Sequence, residues 1–393
     1  MRPNAVAWLL AVSVVAITAG SAFAQTDTTR TAPLPPPPPV TGTEPDFPRG
    51  RISGLVFGDL YYNLAGDPAH HYNAAGADSG KNYIDGSPLS APTPITKDLN
   101  GAQLRRVYFQ LDNDLSIKYS TRFRLEADSK ELTSGGKIGI FVKAAYLQAK
   151  DWIPRGNAFL GMTNTPTFEN SEEFWGYRPI EKTIVDFRGL SSASDLGVSL
   201  KGFLDGGHKI GYSGMVGTDT GQRPENNRQK RAYLSIPLRP IEDLRIEPYV
   251  DYEWIRTSGT VPGEHDRALY KLFAGYELKR MAIGGEAFKQ VVHGTATSSV
   301  NTYPVGYSVF ARFAGTAKLH AYARYDKFQP DTKGANRVDQ SLYIAGFDWE
   351  PYKDVHFMPN IESLQYDARG TAVPPGHHDT QARITFYYRF SKP

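Results

Sequence analysis

Short runs of alternating apolar and polar residues recur from Gly50 to the end of the 393-residue chain, and they constrain its fold more than any other feature. In residues 119–128, for example, Phe123 and Leu125 alternate with Arg122 and Arg124. Successive side chains of a β-strand point to opposite faces, so a period of two indicates strands with two unlike faces. No comparable run has helical spacing, and the pattern therefore predicts an all-β fold.

The runs predict sixteen strands, joined by connections that alternate between long and short. The predicted strands begin near Ile52, Leu104, Ile117, Gly139, Asn157, Asp195, Lys209, Gln229, Leu244, Arg267, Ala282, Val305, Lys318, Ser341, Val355 and Gln381. Eight long connections fall at residues 65–101, 129–137, 164–194, 218–228, 257–265, 293–304, 329–340 and 367–380. Seven tight turns fall near Asp114, Pro154, Gly206, Pro240, Lys279, Gly315 and Pro351. An antiparallel up-and-down barrel with an even number of strands has this arrangement.

Charged residues on one face of the predicted strands favour a barrel in a membrane over a soluble β-sandwich or propeller. A sandwich interior cannot hold so many charges without close pairing, so we expect water on the charged face. Aromatic residues near strand ends, such as Trp152, Trp254 and Trp349, are typical of the girdles at the two membrane interfaces. Residues 382–390 alternate in the same way and predict a closing strand. We therefore predict a transmembrane antiparallel β-barrel of about 16 strands.

The N-terminal residues form two segments that we expect to lie outside the barrel. Residues 1–24 combine Arg2, an apolar run and the sequence Ala22-Phe23-Ala24, which is typical of a secretory signal peptide. This run is the only stretch long and apolar enough to cross a bilayer as a helix, which excludes a helical membrane bundle. Residues 25–49 contain five consecutive prolines and predict an extended Pro-rich periplasmic spacer. The barrel is assigned to residues 50–393, in the lipid of a Gram-negative outer membrane.

Composition gives little support for an enzyme or a nucleic-acid-binding protein. The formal net charge of +3 lacks the strong basic field that nucleic-acid binding usually needs. There is no Cys, and the pairs His70-His71 and His377-His378 lie on predicted outer loops, where hydrated side chains are favoured over a metal site. We expect no catalytic residue, metal, cofactor or nucleic-acid partner. The alternatives are an outer-membrane barrel hydrolase or protease, and a barrel anchor whose N-terminal spacer binds a periplasmic partner.

The width of the predicted barrel indicates a channel. A barrel of about sixteen strands is too wide for side chains to fill, so it leaves an aqueous channel unless a segment plugs it. The predicted function is passive diffusion of small hydrophilic solutes. The third long connection is the best candidate for narrowing the channel, and a loop lying over the rim is the alternative. Its candidate constriction residues are Glu172, Glu173, Trp175, Arg178, Lys182, Asp186 and Arg188.

Arginines on the predicted inner faces are candidates for setting ion selectivity. They are Arg106, Arg122, Arg124, Arg245, Arg312, Arg324 and Arg383. Acidic residues such as Asp112, Glu126 and Asp251 nearly balance them, which favours a field across the channel over a ladder of arginines. The planar guanidinium fork still favours oxyanions, so anions such as phosphate or carboxylates are candidate solutes.

Three short motifs resemble the phosphate-selective porin family, also called porins O and P. They are residues 105–109, which begin with paired arginines, residues 143–147, which have an alanine-tyrosine core, and residues 161–169, which run from Gly through Pro. The resemblance implies an outer-membrane barrel over residues 50–390, a third loop folded into the channel, and a homotrimer. Ala144 and Asn164 stand where the family commonly has Asp and Lys, which bears on phosphate selectivity more than on the fold.

Overall fold

The structure, a computed structural model, describes residues 47–66, 97–133, 137–225, 227–257, 263–295, 298–372 and 378–392, with the backbone alone for residues 129–132. The predicted signal peptide and nearly all of the predicted Pro-rich spacer lie outside the described residues, as do His70, His71 and His377. No helix within the described ranges is long and apolar enough to cross a membrane.

Sixteen strands close into one antiparallel barrel, because β1 pairs with both β2 and β18. The strands are β1 (Arg49–Ala65), β2 (Asn100–Asp114), β3 (Tyr119–Leu132), β4 (Ile138–Ile153), β5 (Gly156–Asn164), β6 (Ser194–Phe203), β7 (Gly211–Gly217), β8 (Lys230–Ser235), β9 (Leu244–Trp254), β10 (Arg256–Thr257), β11 (Gly263–Glu264), β12 (Arg267–Glu277), β13 (Met281–Val292), β14 (Val305–Ala314), β15 (Leu319–Gln329), β16 (Arg337–Tyr352), β17 (Val355–Arg369) and β18 (Asp379–Lys392). The short β10 and β11 pair with each other outside the barrel. The predicted sixteen-stranded all-β barrel is confirmed, and each predicted strand start lies within four residues of the observed one.

Long and short connections alternate around the barrel, as the sequence predicts. Short turns such as residues 154–155 and 353–354 lie at one end of the barrel, which we call the turn end. Long connections such as residues 165–193 and 218–229 lie at the other end, which we call the loop end.

The outer face of the barrel is apolar and exposed. Leu60, Leu160, Leu272, Phe347 and Ile361, which lie on five strands spread around the barrel, are each at least half exposed. Their sequence neighbours, such as Asp59, Lys271 and Glu362, point inward and are buried. An apolar band this extensive on a free surface would be unfavourable in water, whereas lipid would cover it.

Two β-bulges turn additional cations toward the barrel interior. In the pairing of β1 with β2, Phe57 opposes Arg106 but Gly58 opposes Leu104, so Arg105 is an extra residue. Arg105 and Arg106 are consequently both buried inside the barrel. A second shift between β3 and β4 leaves Lys143 as the extra residue. Bulges re-aim side chains in this way, so strict alternation identifies Arg106 and misses Arg105 and Lys143.

The third long connection, residues 165–193, folds into the barrel; we call it L3. It contains two short helices, α1 (Glu169–Trp175) and α2 (Ile184–Phe187). Gly176 ends α1 in the left-handed conformation, with φ of 72°, which favours glycine. Inner-face side chains donate hydrogen bonds to L3 carbonyl oxygens: Arg105 Nη1 to Ile180 O at 2.8 Å, and Arg231 Nη2 to Leu190 O at 3.2 Å. The inward position of L3 is therefore confirmed, and a position over the rim is wrong.

Candidate functional site: a charged passage beside L3

One side of L3 is apolar and packs against the barrel wall from β7 to β18. The L3 residues in these contacts are Phe168, Phe174, Trp175, Tyr177, Ile180, Ile184, Val185, Phe187 and Leu190. The Trp175 ring is fully buried and lies edge-on to Phe310, with ring centroids 5.1 Å apart. Its indole nitrogen donates to Glu181 O at 3.0 Å. Burial of this many aromatic and aliphatic side chains fixes L3 against one half of the interior.

The other side of L3 is charged and remains partly exposed to solvent. Arg178 and Lys182 on L3 are 22% and 23% exposed, and on the opposite wall Arg122 and Lys201 are 29% and 25% exposed. Arg122 and Lys201 lie near the turn end of β3 and β6, so water reaches these two side chains from that opening of the barrel. We call the partly solvent-accessible space between L3 and the inner face of β2–β6 the passage, and this face the passage wall. Arg105 and Lys201 of the wall contact L3, at 2.8 Å from Ile180 O and 2.7 Å from Glu169.

Four charged side chains of L3 form one cluster that faces the passage. Arg178 Nε lies 2.8 Å from Glu172 and its Nη2 lies 3.2 Å from Asp186, while Lys182 Nζ lies 3.1 Å from Asp186. Burial raises the pKa of the Glu172 carboxyl to about 7, and the negative charge of Asp186 adds to this rise. Burial also opposes ionisation of Asp186, but Lys182 and Arg178 outweigh it and hold the pKa of Asp186 below its usual range.

Acidification is expected to make the passage more favourable to anions. A carboxyl with a raised pKa is protonated first, so Glu172 loses its charge as the pH falls through about 7 while Asp186 keeps its own. The cluster then changes from neutral to a net charge of one positive unit. The reversal potential across a salt gradient should shift toward that of the anion over this pH range. Glu172→Gln should abolish the shift, and a shift of the same size in that variant would contradict the assignment to Glu172.

The passage wall holds its charges in pairs. Arg106 Nε lies 2.6 Å from Glu126, which also lies 3.2 Å from Lys143 Nζ. Arg122 Nε lies 2.6 Å from Asp112. The sequence-predicted lumen residues Arg106, Arg122 and Arg124 thus lie together on this wall. Lys143 and Lys201 belong to the same wall and were missed. The bulge changes the face of Lys143, and the prediction considered only arginines.

Three of the predicted residues lie behind L3 and away from the passage. Arg324 pairs with Asp326, and Arg383 pairs with Glu362, both with fully buried side chains. Arg188 of L3 donates to Gln340 and stacks on Phe328, with its guanidinium carbon 4.6 Å from the ring centroid. Burial lowers the pKa of Arg188 to about 10. These three arginines, like the buried Trp175, hold L3 against the wall.

The remaining predicted residues lie near the turn end. Arg245 Nη1 lies 2.9 Å from Glu173 of L3, and both Arg245 and Arg312 contact Glu277, at 3.5 and 3.3 Å. The Glu173 side chain is 66% exposed, so this group is open to solvent. Within the described residues, no cluster of His, Cys, Asp and Glu has the arrangement of a metal site.

No protein-family profile matches the chain, and no curated protein matches it. Solved structures do match its fold. The outer membrane channel DcaP of Acinetobacter baumannii is 11% identical over 87% of this chain and 97% of that chain, with a TM-score of 0.62. OmpT, an outer membrane protein of Vibrio cholerae solved in a trimer form, is 13% identical over 88% and 100%, with a TM-score of 0.60. An anion-selective porin from Comamonas acidovorans is 13% identical over 87% and 100%, with a TM-score of 0.57. The chain therefore has the barrel fold of outer-membrane porins.

Proposed function

We propose that the protein is an outer-membrane porin, a channel for passive diffusion of small hydrophilic solutes. The observation that supports this most strongly is the partly solvated passage inside a closed barrel with an apolar outer face. In this proposal L3 narrows the interior without filling it, since its apolar side is docked and its charged side is partly exposed. Solutes would pass between this charged side and the passage wall. We further propose that the solutes include anions, and the resemblance of three sequence motifs to the phosphate-selective porins supports this.

Opposite net charges on the two sides of the passage support a field across it. The described inner-face side chains of β2–β6 comprise seven cations and five carboxylates: Arg105, Arg106, Arg122, Arg124, Lys143, Lys150 and Lys201, with Asp112, Asp114, Glu126, Asp128 and Asp195. Apart from Arg188, which lies behind the loop, L3 comprises two cations and five carboxylates: Arg178 and Lys182, with Glu169, Glu172, Glu173, Glu181 and Asp186. Rings of charge in a narrow zone set ion selectivity. A polar solute would align in this field, and arginines on the wall would favour oxyanions such as phosphate or carboxylates.

A homotrimer belongs to the same proposal. The Vibrio cholerae protein with this fold is described in a trimer form, and the apolar outer band offers the surface for such contacts. Measurement of the molecular mass in detergent tests this assembly. A monomeric mass in detergent would contradict the homotrimer, but it would not affect the proposed channel function.

Planar-bilayer recording tests the channel itself. Stepwise, ohmic openings of the purified protein are expected. A barrel that inserts but stays closed would contradict the proposal and favour the enzyme or anchor alternatives.

Arg178→Glu is expected to shift the reversal potential toward cations, because Arg178 borders the passage and the change adds two negative charge units there. The exposed turn residue Arg239 provides a matched control, since Arg239→Glu makes the same change outside the barrel interior. An unchanged reversal potential in Arg178→Glu would remove L3 from the selectivity mechanism.

A further inference from the structure

Arg124 differs from the other cations that border the passage. Within the described residues, Arg106, Arg122, Lys143, Arg178, Lys182 and Lys201 each pair with at least one carboxylate. Arg124 has no such carboxylate there; its Nε donates to the amide oxygen of Gln110 at 2.7 Å. Its side chain is partly exposed, so the two terminal nitrogens border the passage. Arg124 is therefore a cation with hydrogen-bonding capacity left for a solute.

Aromatic rings accompany the arginines along the same wall. The Arg124 guanidinium carbon lies 5.0 Å from the centroid of Tyr108, and that of Arg122 lies 5.8 Å from the centroid of Tyr146. Tyr146 meets Phe159 edge-on, with centroids 5.5 Å apart. All three rings are half-buried on the inner face. These rings hold the arginines through cation–π contacts, and a solute with an aromatic body could contact the parts of the rings that remain exposed.

The spacing of these groups suits a short planar solute. Tyr146 opposes Arg122 across the pairing of β3 with β4. Arg124 lies two residues further on the same face of β3, about 7 Å along the strand. A solute that carries a carboxylate on an aromatic ring can therefore place the carboxylate at Arg124 and the ring at the edge of Tyr146.

Electrostatics favours an anion at this point. Arg122 and Arg124 are neighbours on one face, so the two guanidinium groups repel each other in an enclosed space. Arg122 is compensated by Asp112, at 2.6 Å. A carboxylate that accepts from the Arg124 terminal nitrogens in bidentate geometry would relieve the remaining repulsion.

We propose that Arg124, Tyr108, Tyr146 and Phe159 form a binding site for small aromatic carboxylates of the benzoate class. The carboxylate accepts hydrogen bonds from Arg124, and the ring contacts Tyr146 and Phe159. This inference rests on the proposed channel function and specifies a class of solute for it.

Single-channel recording with benzoate as the probe tests the site. Benzoate is expected to interrupt the current in a concentration-dependent way. Acetate, which lacks the ring, and benzyl alcohol, which lacks the charge, should do so much less. Arg124→Gln should weaken the benzoate effect about tenfold or more, as expected for loss of a charge-assisted hydrogen bond. Tyr146→Leu should weaken it several-fold, and Arg239→Gln, which removes an exposed cation outside the interior, should leave it unchanged.

The outcomes separate this site from the proposed function. Normal openings in potassium chloride with no benzoate effect would overturn the site and leave the channel intact. An equal effect of acetate, or an undiminished effect in Arg124→Gln, would also overturn it. If the protein opens no channel at all, the proposed function fails, and the site fails with it.

Discussion

A variant with alanine at both Phe174 and Trp175 is expected to show a several-fold higher and noisier single-channel conductance than the native protein. Both side chains are buried between α1 and the wall, against Phe273, Phe310 and Tyr322. Truncation of one buried Phe or Trp typically costs about 3–5 kcal/mol, so loss of both should release the N-terminal half of L3 from the wall. The barrel itself should persist, because its strands are closed by their own hydrogen bonds.

Trp254→Ala is the matched control for this prediction. Trp254 is 44% exposed at the end of β9, where its ring lies edge-on to that of Tyr252 on the outer face. Its loss should leave the conductance unchanged. Equal conductance of the double variant and the native protein would contradict the docked position of L3.

Arg383→Met is expected to lower the free energy of unfolding by about 3–5 kcal/mol, the usual cost of removing one partner of a buried ion pair. Arg383 pairs with Glu362, donates to Asn360 Oδ1 at 3.2 Å and to Ile180 O of L3 at 3.3 Å, and lies 3.9 Å from Asp59. Without it, buried carboxylates lose a positive partner and L3 loses one of its hydrogen bonds to the wall.

Urea unfolding in lipid vesicles, followed by tryptophan fluorescence, measures this change. The double variant Arg383→Met with Glu362→Gln should recover part of the lost free energy of unfolding, because it removes the buried carboxylate together with the cation that paired with it. A single variant as stable as the native protein, or a double variant less stable than the single one, would contradict the compensation between these two residues.

The barrel could be predicted from the sequence because each strand separates lipid from the interior. Leu272 and Lys271, for example, differ in polarity because their faces differ in solvent, and this difference appears as a period of two. Strand ends were also predictable, since turns such as residues 353–354 interrupt the alternation. The bulges were not, because an extra residue such as Arg105 changes face without changing the residue types around it.

The division of the interior by L3 could be predicted only in part. The pattern places Arg122 and Arg383 equally on inner faces, but it does not show that L3 covers Arg383 and leaves Arg122 beside water. Arg178 and Arg188 belong to the same loop and have the same side chain, yet one borders the passage and the other is buried. Which side of a loop docks depends on contacts with distant strands, such as that of Arg188 with Gln340.

Cysteine modification during bilayer recording tests the position of the passage most directly, because the chain has no cysteine of its own. Tyr146→Cys places a thiol on the passage wall, and Phe310→Cys places one behind L3. A charged methanethiosulfonate reagent is expected to react with the thiol at position 146 and reduce the current, and to leave the current of the position 310 variant unchanged. A reduced current for position 310 with none for position 146 would contradict a passage between L3 and β2–β6.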